Sequence, residues 1–382
     1  MAYTILEVSG GKMLDKFIEF PYRLYHGNQF WSPPLKFEER KYLIDIPKID
    51  QGIVTTQFVA LDERDEVVGR VQVIINYHEI EFSGENTARF NKLDFIDDVE
   101  VAKLLLSSAE SWSRSHKIDK LIGPFGYSNL DTAGALTEGF DELSCTSSNY
   151  NYPYYLDHMM AAGYQYYLEW LEHEFNVPEV IPEKVSKFSE LIKNRYGLKT
   201  ATFHTKQEKL KRSRQILELI NICYAHLPGF VPLSEELKEY YHEKYMPLVN
   251  KDYISLISDN NDQLVGFGLT IPSYTRALQK ANGSLFPFGF YHLWMASRKN
   301  DRAEMLLIAI HPDYQQKGLI SLIFEQILQK YIEHGIKKVE SNPEQVNNKN
   351  VRNLWKDYDF RLHKKRVCVV KDLRNAKGIQ QK

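Results

Sequence analysis

The chain changes hydrophobic period in a fixed order, and it does so twice. From Thr4 a short apolar strand pattern gives way to a polar turn and then to a helical stripe ending at Tyr25. From Leu198 the same succession runs to Tyr224. Phe30 and the pair Pro34-Leu35 follow the first stripe; Phe230 and the pair Pro232-Leu233 follow the second, each leading into an acidic helix start. Proline there fixes the chain direction and favours entry into another helix. Residues 57–77 and 252–274 then read as strand, polar turn and returning strand, with turns over 62–66 and 259–262. Gly69 and Gly266 stand at the same place in the two returning strands, where a missing side chain permits a bulge or a close approach. Each half finishes with a helix, a strand, a second helix and an aromatic strand.

This order, β, α, α, β-hairpin, β, α, β, α, β in each half, predicts an α/β protein of two tandem lobes. Each is expected to be a mixed, mostly antiparallel sheet flanked by helices. The expected lobes are residues 1–176 and 198–373, joined by a proline- and charge-bearing helical connector over 177–197 and followed by a tail over 374–382. The length of 382 residues suits two such cores.

Composition narrows the function by exclusion. With 48 basic against 50 acidic residues the chain as a whole has no electrostatic footprint for nucleic acid or membrane. Cys145, Cys223 and Cys368 are scattered, so neither a disulfide framework nor a metal site is expected. No apolar stretch reaches the ~20 residues of a membrane span. The N-terminus lacks the regions of a signal peptide, so the expectation is a cytoplasmic protein.

The candidate chemistry begins at Glu304. Residues 304–310 form a continuous apolar run, as in a strand buried on both faces, and Pro312 ends it. From Lys317 onward Leu319, Ile320, Ile323, Ile327, Leu328 and Tyr331 make a helical stripe that Gly335 terminates. Between strand and helix, Gln315, Gln316, Lys317 and Gly318 place backbone N–H groups, a glycine and an ammonium at a helix N-terminus. That combination suits a phosphate or pyrophosphate.

Ile310, Pro312, Tyr314, Gln315, Lys317 and Gly318 resemble the acyl-CoA signature of the GNAT superfamily of N-acetyltransferases. Asn348, Leu354 and Phe360 resemble a second segment of that family. Two positions depart from the pattern: Ile320 stands where a small residue is usual, and Trp355 where a tyrosine acid is frequent. The resemblance implies acetyl-CoA or another acyl-CoA as co-substrate, its pantetheine along Ile308, Ala309 and Ile310. It places the pyrophosphate on the amides of Gln315, Gln316, Lys317, Gly318, Leu319 and Ile320, with Asn348 nearby. It implies acyl transfer to an amine of a small molecule or peptide; the sequence leaves a homo-oligomer open. The alternatives are a ligand-binding pseudoenzyme, which Ile320 and Trp355 favour, and a Fem-type aminoacyl-tRNA-dependent transferase, whose basic groove only residues 204–214 could supply.

Glu304, Tyr274 and Tyr358 are the candidate catalytic residues; His292 and His363 are further candidates, His292 reading more simply as a core histidine. In the first lobe the equivalent of the anion loop is the acidic window Asp97, Asp98, Glu100, which predicts a degenerate copy that repels a phosphate. Residues 123–131 read as a turn. The tyrosines at 150, 152, 154 and 155, like Phe30 and Trp31, read either as walls of a cleft between the lobes or as packing.

Overall fold

The computed structural model describes residues 2–245, 249–346 and 360–374. The first half runs β1 (Thr4–Glu7), α1 (Gly11–Leu24), α2 (Lys36–Ile49), β2 (Ile53–Leu61), β3 (Val67–Asn76), α3 (Tyr77–Ser83), β4 (Thr87–Phe95) and α4 (Val99–Ser115). It continues with β5 (Lys120–Gly123), β6 (Ala135–Glu138), α5 (Tyr154–Ala161) and β7 (Gln165–Asn176). The connector forms α6 (Glu183–Tyr196). The second half runs β8 (Lys199–Ala201), α7 (Lys206–Tyr224), α8 (Glu235–Tyr245), β9 (Ile254–Ser258), β10 (Leu264–Pro272), α9 (Thr275–Ala281) and α10 (Gly289–Arg298). After these come β11 (Arg302–Ile310), α11 (Leu319–Glu333), β12 (Lys338–Glu340), β13 (Glu344–Gln345) and β14 (Phe360–Asp372).

The expected order is present in both halves, and so are the hairpins β2–β3 and β9–β10. Each hairpin slips register beside its glycine, skipping Val68 in one and Val265 in the other. The reasons for the glycines differ. A Cβ on Gly69 would come 2.7 Å from Leu105 of α4, whereas Gly266 has ordinary room. In the second half the close approach falls instead at Gly268, whose Cβ would lie 2.6 Å from Ile323 of α11. Capping follows the sequence as well: Thr205 and Glu208 form a reciprocal capping box at α7.

The halves do not close separately. The described strands join one mixed sheet in the order β1-β2-β3-β4-β5-β14-β7-β12-β11-β10-β9-β8, with β6 paired to β14 and β13 to β7 off that path. β14, the last strand of the chain, completes the first lobe beside β5, and β7 completes the second beside β12. The two exchanged strands lie antiparallel to each other over most of their length. In each lobe two strands pair in parallel, β4 with β5 and β11 with β12.

Helices cover both faces. α4 buries Val101, Ala102, Leu105 and Leu106 on the first lobe, and α11 buries Leu322, Ile323, Ile327 and Leu328 on the second. A third core crosses between lobes: Ile46, Ile53 and Ile74 pack with Ile216, Ile220 and Leu237 from α7 and α8. Burying such aliphatic side chains stabilises the contact by about 1.5–3 kcal/mol each. The second half also carries an insertion, α9 and α10, where the first has only α3.

Candidate active site

β11 and β12 run side by side for three rungs, Arg302–Lys338, Ala303–Val339 and Glu304–Glu340. β11 then continues to Ile310 while β12 ends, which leaves a notch. Its pairing with β10 slips at Leu306, a bulge that turns the edge. The backbone carbonyls of Leu306, Ile308 and Ile310 face away from β10. They accept hydrogen bonds from Asn342 Nδ2 (2.6 Å), Tyr224 Oη (2.9 Å) and Gln315 Nε2 (3.2 Å) respectively. The edge expected to carry pantetheine is therefore occupied by side chains of this chain, with Cys223 Sγ also 3.2 Å from the Ile310 carbonyl.

Pro312–Tyr314 forms one tight turn, after which Gln316 and Gly318 adopt left-handed conformations with φ of 61° and 80°. Gly318 caps α11 without any side-chain acceptor for the first amides of the helix. Lys317 Nζ lies 5.1 and 5.3 Å from the ring centroids of Tyr314 and Tyr196. Uncapped amides, a helix dipole and a nearby ammonium fit a pyrophosphate. The role expected of Gly318 needs correction: the space its missing Cβ leaves is filled from α6, with Phe188 ring atoms at 3.0 Å and Ile192 at 3.2 Å from that position. Glycine here admits the connector helix, and the Gln316–Lys317 side faces outward. Ile320 packs onto the second-lobe core.

The first lobe fills the same place with its own charge. α4 stands between β4 and β5 as α11 stands between β11 and β12. Its cap is Asp98, whose Oδ1 accepts the Glu100 amide at 2.9 Å and whose Oδ2 accepts Tyr3 Oη at 2.7 Å. The Tyr3 hydrogen bond, above all, lowers the Asp98 pKa. A carboxylate thus sits where the second lobe offers open donors.

Between the lobes lies a cavity of about 1710 Å³. Leu217, Ile220, Leu269, Leu278, Leu293 and Leu307 of the second lobe line it, facing Trp31, Tyr150 and Tyr155 of the first. The two aromatic clusters read from the sequence therefore do both jobs: Tyr150 and Tyr155 are buried, and they also form cavity wall. Tyr155 and Tyr25 share a 2.8 Å hydrogen bond, and Tyr25 donates to Asp94 at 2.8 Å. The loop after β5, read as a turn, supplies Asp131 to the wall. Its Oδ2 accepts the Ser128 amide at 2.8 Å, and burial pushes its carboxyl above the usual range.

Glu304 is buried at the base of the notch. Oε2 accepts the amide (2.8 Å) and hydroxyl of Thr146, while Oε1 accepts Ser273 Oγ (2.6 Å) and Thr275 Oγ1 (3.3 Å). Three of these donors are its own, the Thr275 hydroxyl is shared with the Ser144 carbonyl at 3.0 Å, and together they tie a first-lobe loop to the second lobe. Tyr274 lines the cavity, and burial, helped by the Glu304 charge, raises the pKa of its phenol. His292 lies half-buried on α10 and is not a core histidine. His363 is buried, and burial lowers its pKa to about 4. Tyr358, Trp355 and Asn348 lie outside the described residues.

Sequence reasoning missed a buried charge cluster beneath the notch. Lys364 Nζ contacts Glu340 and lies 3.3 Å from Glu172, and Arg366 Nε bonds Glu172. Cys145, Glu172 and Glu340 have their ligand-type atoms within 4.8 Å of one another. Lys364 and Arg366 sit against the Glu172 and Glu340 side chains, so positive charge already occupies the cluster. The available signal was charge at alternate positions of two strands, Glu172 and Glu174 in one, Lys364 and Arg366 in the other. Such charges inside strands have to be paired.

Residues 215–360 match the Acetyltransferase (GNAT) family. Protein YghO of Escherichia coli is 28% identical over 306 residues, covering 79% of this chain and 77% of the relative. The Bacterial ceramide synthase of Caulobacter vibrioides is 22% identical over 329 residues, 82% of this chain and 83% of the relative. Among solved structures, a tandem GNAT protein from the clavulanic acid biosynthesis pathway superposes with a TM-score of 0.58 at 12% identity, covering 97% of this chain and 99% of that one. At that identity the likeness is one of fold.

Proposed function

Because this chain is a tandem GNAT-like protein, we propose that it transfers an acyl group from an acyl-CoA to the amine of a long-chain, apolar acceptor held between the lobes. The observation that carries the proposal is the large cavity beside the notch, which sets the aliphatic side chains Leu217, Ile220, Leu269, Leu278, Leu293 and Leu307 on one side of a lining that also holds charged groups such as Arg70, Lys92 and Asp94. A small polar amine needs no such volume, since pockets for drug-sized ligands are about 300–1,000 Å³. A ceramide is the amide of a long-chain amino alcohol, so the name of the Caulobacter relative points to the same class of acceptor. The reading narrows the small-molecule or peptide amine expected from the sequence to an amphipathic one.

In the proposed reaction the amine nitrogen attacks the thioester carbonyl. A C–N bond forms, the C–S bond breaks, the ammonium proton passes to a base and the thiolate is protonated. The notch presents carbonyls and amides of β11 to the pantetheine arm, and the open start of α11 with Lys317 receives the diphosphate. Glu304, bonded to Thr146 of one lobe and Ser273 of the other, holds the two lobes in register. Tyr274 presents its phenol O–H from the cavity wall as the donor to the leaving thiolate. Asp131, a carboxylate in the wall of the same cavity, is the proposed base that takes the proton the nitrogen sheds.

The test is a panel of amines, from short polar ones to long-chain amino alcohols, with acyl-CoAs of several lengths. Release of CoA and the mass of the amide are read together. Amide from the long-chain amines is expected; turnover confined to short polar amines would overturn the acceptor assignment.

A further inference from the structure

The inserted helices α9 and α10 present two unlike faces. Leu278, Leu285, Leu293 and Ser297 line the cavity from inside. On the outside Phe286, Phe288, Phe290, Tyr291 and Trp294 are between 48% and 77% exposed, the densest run of large exposed aromatics among the described residues. Apolar patches of this kind on soluble surfaces mark a binding partner.

Charge identifies the partner. Residues 275–299 contain Arg276, Lys280, Arg298 and Lys299 and not one aspartate or glutamate, in a chain whose formal net charge is −2. Phenylalanine, tyrosine and tryptophan beside lysine and arginine, with no carboxylate, is the composition that seats at a lipid headgroup layer. The rings enter the interface and the cations meet anionic headgroups. No helix among the described residues is long and apolar enough to cross a membrane, so this contact would be a surface one.

We propose that the α9–α10 insertion docks on an anionic phospholipid surface through Phe286, Phe288, Phe290 and Trp294. The same element forms a wall of the cavity, so docking sets the cavity beside the membrane, where a long-chain amphiphile is concentrated. The docking surface does not depend on the acceptor assignment, because vesicle binding is measured without turnover.

The experiment uses the full chain and vesicles of phosphatidylcholine, with or without about one-third phosphatidylglycerol, in a flotation assay. Flotation with the anionic vesicles is expected, weakening as salt is raised, with a blue shift of tryptophan emission that Trp294→Phe removes. Replacing Phe286, Phe290 and Trp294 together by serine is expected to lower partitioning more than about tenfold. Lys280→Glu with Lys299→Glu is expected to do the same for anionic vesicles. These side chains are exposed, and an unchanged melting temperature verifies the fold of each variant. The proposal is overturned if the protein does not float with anionic vesicles or if the triple variant floats undiminished. It is equally overturned if the protein is a dimer in solution that the triple variant dissociates, since a second copy would then cover this face.

Discussion

Glu304 and Glu340 stand opposite each other on the last rung that β11 and β12 share, and the protein treats the two carboxylates differently. Four hydroxyl and amide donors surround Glu304. Glu340 has Lys364 against it, yet burial and the neighbouring Glu172 and Glu304 charges push its carboxyl up to about 8. The two carboxylates thus meet at one rung in unlike surroundings, hydrogen-bond donors on one side and burial with like charge on the other, and Glu340 holds its proton more firmly than an exposed carboxyl would.

Glu304→Gln removes an acceptor from that set and turns an amide donor towards hydroxyl groups or the Thr146 amide. A loss of about 1–3 kcal/mol in unfolding free energy is expected, read from the urea midpoint. If Glu304 were the proton acceptor of the reaction, the variant would instead lose turnover with its stability unchanged.

Tyr274→Phe keeps the ring in the cavity wall and removes the phenol. A fall in kcat of about a hundredfold is expected, with the apparent affinity for acyl-CoA unchanged. Equal losses in affinity and turnover would make Tyr274 a packing residue.

Acyl-CoA at about a hundred times its Kd is expected to add about 2.7 kcal/mol to stability, visible as a thermal shift. Lys317→Glu is expected to weaken that binding by about tenfold or more, because it sets a carboxylate beside the open amides. Gly318 is a poorer choice of variant, since a side chain there meets Phe188 and leaves the left-handed region. In the first lobe, Asp98→Asn keeps the helix cap and is expected to leave the shift unchanged.

Glu174 supplies a pH test. Burial opposes its ionisation, but hydrogen bonds from Lys338, Arg302 and Arg361 win and hold it at about 2. The depressed value means that its contribution is present above the unfolded pKa, near 4.5, and is lost as pH falls towards about 2. At most about 3 kcal/mol is at stake. Glu174→Gln is expected to lower stability at pH 7 and to flatten the acid limb of the stability profile, measured by denaturant titration.

The parts of this fold that were legible in the sequence are those set by local physics. Period, proline and acidic helix starts placed α1, α2, α7 and α8, and polar turns placed both hairpins. Asp98 at the head of α4 and Gly318 at the head of α11 announced two unlike helix ends. The strand exchange was not legible, because the sequence pattern marks β7 and β14 as strands and only the three-dimensional closure decides that β7 pairs with β12 and β14 with β5. The buried cluster needed that pairing too: Lys364 faces Glu172 across the two exchanged strands, almost two hundred residues apart in sequence. Phe188 filling the space at Gly318 is likewise a contact between distant segments. His292 read as a core histidine until its helix was seen to lie near the surface, with the imidazole half-buried.

Hydrogen exchange of the full chain with and without an acyl-CoA tests most directly the claim that only the second lobe seats the coenzyme. Protection is expected in β11 and at the start of α11, around Gln316 to Ile320, with the start of α4 around Asp98 to Ala102 unaffected. Protection at the head of α4 instead, or at neither helix, would contradict it.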